Sequence, residues 1–263
     1  MPLPLSELEI TKPTQKSIFK LISGLQTQGN IHVWIVDKRQ LNETNSYLKW
    51  ISEEELTRAQ KFRFEKDFST YVVARGVLRT LLSKYSQIHS DTINFVYGAY
   101  GKPKLKNNDT IQFNVSHSKE LIVLAFTLGT EIGVDVEYVN DTINFMKIAH
   151  TVFNKTEIEF LNSLEKKNQA YGFYHLWTRK EAFIKLSGYG LSMPIALTKI
   201  SVLQNKVHLV DEKSKNENIL NWDTKLKSFT PISGYSAAVT IQKNANKTEF
   251  MSWNDYESTF QKE

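Results

Sequence analysis

The chain has 263 residues, 41% of them apolar, with 33 Lys and Arg against 28 Asp and Glu, a formal net charge of +5 and no cysteine. That length and apolar share suffice for one large domain or two small ones with their own cores. Lack of cysteine excludes disulfides, thiol catalysis and any Cys-ligated metal, and it suits a reducing compartment, so a cytoplasmic location is expected. The basic balance, with a sequence pI near 9.1, favours polyanionic partners but does not choose among nucleic acid, phosphorylated cofactors and acidic proteins.

The opening MPLPLSELEITKPTQKSIFK carries acidic residues and prolines where a secretion signal needs a basic start and a continuous apolar stretch. Runs such as LIVLAF fall far short of the roughly 20 residues of a membrane-spanning helix, so a soluble protein without a membrane partner is expected. Ile31 to Asp37, IHVWIVD, alternates and is β-branched, which predicts a strand. Ser52 to Tyr85 reads as helical: Ser52 precedes three glutamates, an N-cap followed by an acidic first turn, and a break is expected near Phe64 to Phe68. INFVYGAYGKPKL reads as a strand and a Gly-Lys-Pro turn. QFNVSHSKELIVLAF follows, in which Ser116, His117 and Ser118 separate two apolar runs at what reads as a turn. EIGVDVEYV is a further strand, Asn144 to Leu164 a second helical region, and NQAYGFYHLWTRKEAFIKLSGYG a third, closed by Gly188 and Gly190 as glycine C-caps. KISVLQNKVHLVD and GYSAAVTIQ complete the strands. The order predicts an α+β protein of two similar halves, residues 1–130 and 131–263, divided near Thr130. No residue-level repeat links them, and residues 1–30 and DEKSKNEN are weakly specified.

Three clusters carry candidate chemistry. In IGVDVE, alternation puts Ile132, Val134 and Val136 on one face of a strand and Gly133, Asp135 and Glu137 on the other. The adjacent carboxylates suit a divalent cation, with Gly133 leaving room for a bulky ligand, although an ordinary half-buried strand fits the same pattern. In WTRKEAFIK, steps of four place Trp177, Glu181 and Lys185 in one helical row with Lys180 beside it. Two ammonium groups flanking an acid can hold a phosphate while the acid binds metal or takes a proton; a surface ion pair is the plainer alternative. Ser116, His117 and Ser118 offer donors suited to phosphate oxygens, or form a polar turn with a satisfied histidine. A hydrolase triad is disfavoured, because adjacent Ser and His rarely reach each other and no Gly-x-Ser-x-Gly elbow is present. Six histidines without a His-Glu-x-x-His pattern point from zinc to oxygen-ligated Mg²⁺ or Mn²⁺, and neither a Walker A loop nor Gly-x-Gly-x-x-Gly occurs.

Taken in order, YGKP, FNVSHS, IGVDVE and FYHLWTRKEAFIKLSGYGLS resemble the surfactin-synthetase-activator type of 4′-phosphopantetheinyl transferase, over about Leu56 to Val202. The resemblance implies a monomer of two α+β halves related by a pseudo-two-fold axis, with coenzyme A and Mg²⁺ in the cleft between them. It implies transfer of the phosphopantetheine arm to a serine of an apo acyl or peptidyl carrier protein, with release of 3′,5′-ADP. By similarity, Asp135, Glu137 and Glu181 match the metal-binding acids; Glu181, directly or through a metal-bound water, is also the candidate base. Lys180 and Lys185 match lysines on the coenzyme A phosphates, and Ser116 and His117 the turn that reaches the 3′-phosphate and the pyrophosphate. Lys102, Arg58 and Lys61 match basic positions around the adenosine 3′-phosphate. One departure stands out: family members often carry Arg after the acid matching Asp67, where this chain has Phe68. Asn140 to Asn154 is the expected edge for an acidic carrier, which could serve fatty acid, polyketide or nonribosomal peptide synthesis. The alternative is a non-catalytic nucleotide- or RNA-binding protein, suggested by aromatics interleaved with Lys and Arg over Lys61 to Tyr71.

Overall fold

A computed structural model describes residues 10–11, 25, 29–190, 223–242 and 245–259. The expected strand in KISVLQNKVHLVD lies outside the described residues. Ten strands are described: β1 (Ile10–Thr11), β2 (Ile31–Asp37), β3 (Phe95–Tyr97), β4 (Pro103–Leu105), β5 (Ile111–Ser118), β6 (Leu121–Leu128), β7 (Ile132–Tyr138), β8 (Thr224–Phe229), β9 (Tyr235–Gln242) and β10 (Thr248–Ser252). The described α-helices are α1 (Glu53–Ala59), α2 (Glu65–Ser86), α3 (Phe145–Val152), α4 (Lys155–Ser163), α5 (Lys166–Ser187) and α6 (Trp253–Glu257). The arrangement is the mixed α+β fold that the element order predicts.

The larger sheet runs β1-β10-β2-β6-β5 and the smaller one β7-β9-β8, with β3 and β4 forming a separate hairpin. The two central strands of the larger sheet are apolar almost throughout because both of its faces are covered. From β2, Trp34 and Val36 join Val73, Val77, Leu78 and Leu81 of α2, while Ile31, Val33 and Ile35 join Ile132, Val134 and Val136 of β7. On β6 the same division separates Ile122, Leu124 and Phe126 from Leu121, Val123 and Ala125. Each such aliphatic side chain contributes about 1.5–3 kcal/mol on full burial.

Ser52 caps α1 in a capping box with Glu55. The break in the first helical region spans residues 60–64, slightly before its expected place, and the second region divides at Phe153 and Asn154, which caps α4. Helix α5 ends at Gly188, whose φ of 72° is the left-handed conformation of a C-cap. Thr130 lies in the connection between β6 and β7. After β9 of the smaller sheet the chain returns to the larger one, where β10 pairs in parallel with β2, and Asn254 of the following α6 exchanges hydrogen bonds with the backbone of Asp37.

Two local expectations are corrected. Ser116, His117 and Ser118 belong to β5 itself, and the hairpin turns at Lys119 and Glu120, with Lys119 at a φ of 52°. The space beside Gly133 is taken by α5 and not by a ligand. A methyl group there would overlap the carbonyl oxygen of Ala182 and the amide of Leu186, so glycine is what allows the helix to lie directly on β7.

Candidate active site

That close approach sets two rows of polar side chains against each other. The apolar face of β7 enters the core with Ile132, Val134 and Val136, leaving Asp135 and Glu137 on the face toward α5. From α5, Lys185 places its Nζ 2.7 Å from Asp135 Oδ1 and 2.8 Å from Ser116 Oγ. The Ser116 hydroxyl donates to Asp135 Oδ1 at 2.9 Å, and that of Ser118 donates to Glu137 Oε2 at 2.8 Å. Asp135 is only 3% exposed, and its second oxygen, Oδ2, is buried without a hydrogen-bond partner.

Electrostatics point the same way for all three acids. Burial pushes the Asp135 carboxyl up, outweighing Lys185 and Ser116. Glu137 is pushed up to about 7 by burial and then by the charge of Asp135. Glu181, one helical turn before Lys185, is raised by burial and by Asp135. Mutual repulsion in a poorly hydrated place makes three carboxylates hard to ionise together, and a hard divalent cation would relieve it. Among the described residues, no three His, Asp or Glu side chains are already gathered in a ligating arrangement. The Lys185 ammonium supplies the positive charge at Asp135.

The remaining sequence candidates lie around this centre. His117 is exposed on β5; surrounding protein, then Lys185 and Lys38, hold its pKa below the ordinary value. Lys180 is turned away from the cluster: wholly buried, it pairs with Glu157 of α4 at 2.9 Å and donates to the Val152 carbonyl at 3.2 Å. Lys102 is also engaged internally, donating to Glu131 at 2.6 Å, the Ile132 carbonyl at 3.0 Å and the Leu186 carbonyl at 3.1 Å. It thereby ties the Gly-Lys-Pro turn to the start of β7 and the end of α5. Arg58 is exposed on α1 and faces the Tyr71 ring in a polar pocket that includes Arg75, Arg79 and Asn94. Lys61 is exposed between α1 and α2.

Sequence reasoning missed Glu131 and Glu157, the acids that receive two of the candidate lysines, and Glu55, which binds Arg75 and Arg79. A buried acid in a capping box, as at Asn154–Glu157 and Ser52–Glu55, was the available signal for two of them.

Comparison with known proteins decides the family. Residues 131–240 match the model of the 4′-phosphopantetheinyl transferase superfamily, and residues 34–128 that of the 4′-phosphopantetheinyl transferase N-terminal region. The chain is 30% identical over 200 residues to the 4′-phosphopantetheinyl transferase Sfp of Bacillus subtilis, covering 75% of this chain and 84% of that protein.

The chain belongs to the 4′-phosphopantetheinyl transferase superfamily.

A second relative, the 4′-phosphopantetheinyl transferase HetI of a Nostoc species, is 32% identical over 179 residues, covering 64% of this chain and 74% of its own. The two phosphopantetheinyl transferase matches fall on either side of the connection at Thr130, with Ser116, His117 and Lys102 in the first and Asp135, Glu137, Glu181 and Lys185 in the second. No described helix of this transferase is long and apolar enough to cross a membrane.

Proposed function

We propose that the chain transfers the 4′-phosphopantetheine arm of coenzyme A to a serine of an apo acyl or peptidyl carrier protein and releases 3′,5′-ADP. One observation carries the assignment of its site: the partnerless Oδ2 of Asp135, buried where Glu137 and Glu181 are also raised toward protonation. Oxygen donors of this kind fit Mg²⁺ or Mn²⁺, which Asp135, Glu137 and Glu181 would hold. When bound, such a cation neutralises the coenzyme diphosphate and stabilises the departing ADP oxygen.

The chain's own groups supply the rest. The serine oxygen of the carrier bonds to the phosphorus bearing the pantetheine. The bond from that phosphorus to the ADP oxygen breaks, and its electron pair leaves with 3′,5′-ADP. The serine proton passes to Glu181, acting as general base. Lys185, already at the mouth of the acidic cluster, is the cation for the diphosphate, with His117 and Ser116 beside it. Arg58 and Lys61 are exposed cations for the adenosine 3′-phosphate. Lys102 and Lys180 support this machinery from within, through their contacts to α5 and α4.

The same reading takes residues 1–130 and 131–263 as two halves, with β10 returned to the first, in a monomeric cytoplasmic enzyme. An acidic carrier would dock along Asn140 to Asn154, where Ile143 and Ile148 are exposed. A purely nucleotide- or RNA-binding role finds no support in the family likeness. The test is incubation with coenzyme A, Mg²⁺ and a panel of apo carriers. Addition of one phosphopantetheine mass is expected; no gain on any carrier, with an authentic transferase active in parallel, overturns the proposal.

A further inference from the structure

Strands β5 and β7 lie side by side in the same direction, yet among the described residues β5 forms its ladder with β6 and β7 with β9. Alternate N–H groups of a strand point to opposite edges, so those of β7 facing β5 need acceptors from elsewhere. They find them in side chains. Val134 N–H donates to Asn114 Oδ1 at 2.9 Å, Val136 N–H to Ser116 Oγ at 3.4 Å, and Tyr138 N–H to Ser118 Oγ at 3.1 Å. Donor and acceptor are twenty residues apart in each pair, so the register is constant along the seam.

The two serines repeat one device. Each hydroxyl accepts an N–H of β7 and donates to the carboxylate one residue earlier, Asp135 for Ser116 and Glu137 for Ser118. A hydroxyl has one proton to give and two lone pairs to accept with, so this arrangement fixes the direction of its donation. The N–H holds the oxygen, and the proton is left to aim at the carboxylate.

We infer that Asn114, Ser116 and Ser118 form a polar seam joining the two sheets, and that Ser118 is a positioning residue that holds Glu137 in its metal-binding orientation. The inference rests on the proposed metal role of Glu137. It gives the last residue of FNVSHS a function separate from phosphate binding. Outer-shell partners that orient a metal-binding carboxylate are commonly worth about ten- to a hundredfold in metal affinity.

The test is titration of the full-length protein with Mn²⁺ in the presence of coenzyme A, followed by the loss of the free-ion electron paramagnetic resonance signal. Four proteins are compared: wild type, Ser118→Ala, Ser118→Thr and Glu137→Ala, each checked by its melting curve. Ser118→Ala is expected to weaken Mn²⁺ binding about tenfold, and Ser118→Thr, which keeps the hydroxyl, to restore it to within about twofold of wild type. If Ser118→Ala does not fold, Ser118→Cys replaces it, with its weak S–H donor giving a smaller loss in the same direction. Unchanged binding in the Ser118 variant alongside a large loss in Glu137→Ala overturns the seam's positioning role and leaves the metal reading standing. Unchanged binding in Glu137→Ala overturns both.

Discussion

Lys185 of α5 places its ammonium 2.7 Å from one oxygen of Asp135, while the other oxygen of that carboxylate is buried with no hydrogen-bond partner. A half-satisfied buried acid is costly to keep ionised, and its charge in turn raises the neighbouring carboxyls of Glu137 and Glu181. The arrangement favours binding of positive charge over stability.

Asp135→Asn should therefore separate the two. The amide retains the shape and can still accept from Ser116, but it offers no charge to a cation. We expect kcat for transfer to fall about a hundredfold or more, with the melting temperature unchanged or higher. Mass analysis of the carrier and a thermal melt check this; near-normal kcat would exclude Asp135 from the metal site.

Gly133→Ala tests the contact that brings α5 onto β7. Its methyl would meet the Ala182 carbonyl and the Leu186 amide, both backbone and neither able to swing aside. A loss of about 3 kcal/mol or more is expected, the upper range for forcing volume into a packed interior, measured by urea unfolding. A variant as stable as wild type would mean that the helix can shift freely.

For Lys180 and Glu157 the expectation is a strong non-additivity. Replacing Lys180 with Met leaves a buried carboxylate and should cost about 3–5 kcal/mol, whereas Lys180→Met with Glu157→Leu should recover much of that loss. Urea unfolding of the four proteins completes the cycle. If Lys180 reached coenzyme A, the single variant would instead remain stable and show a raised KM for it.

His32 gives a pH dependence far from the site. Buried on β2 against Tyr85, its imidazole is lowered from 6.5 to about 4, chiefly by burial. The unfolded chain then binds the proton first as pH falls. The stability contributed by neutral His32 is present above pH 6.5 and declines as pH drops toward about 4. His32→Asn should make the melting temperature less sensitive to pH over that window, whatever its absolute level. An unchanged slope would remove His32 from the account.

Much of this was legible locally. The alternation of IGVDVE, the four-residue steps of Trp177, Glu181 and Lys185, the Ser52 cap and the Gly188 stop each depend on a period or a single backbone conformation that a short segment reveals. What stayed hidden depends on distant partners. Lys180 and Lys185 are equivalent by composition, and only packing against α4 turns one inward to Glu157 while the other meets Asp135. The return of β10 to β2 and the twenty-residue register of the seam are likewise tertiary facts with no local signature. Gly133 was correctly singled out for its missing side chain, but a helix backbone and not a ligand uses the space.

The most direct measurement is anomalous diffraction from crystals grown with Mn²⁺ and coenzyme A. We expect a manganese peak about 2.1 Å from an oxygen of each of Asp135, Glu137 and Glu181, a usual distance for a small hard cation, with Lys185 moved onto the coenzyme diphosphate. A peak elsewhere, or coenzyme bound with Lys185 still on Asp135 and no metal beside it, would contradict this expectation.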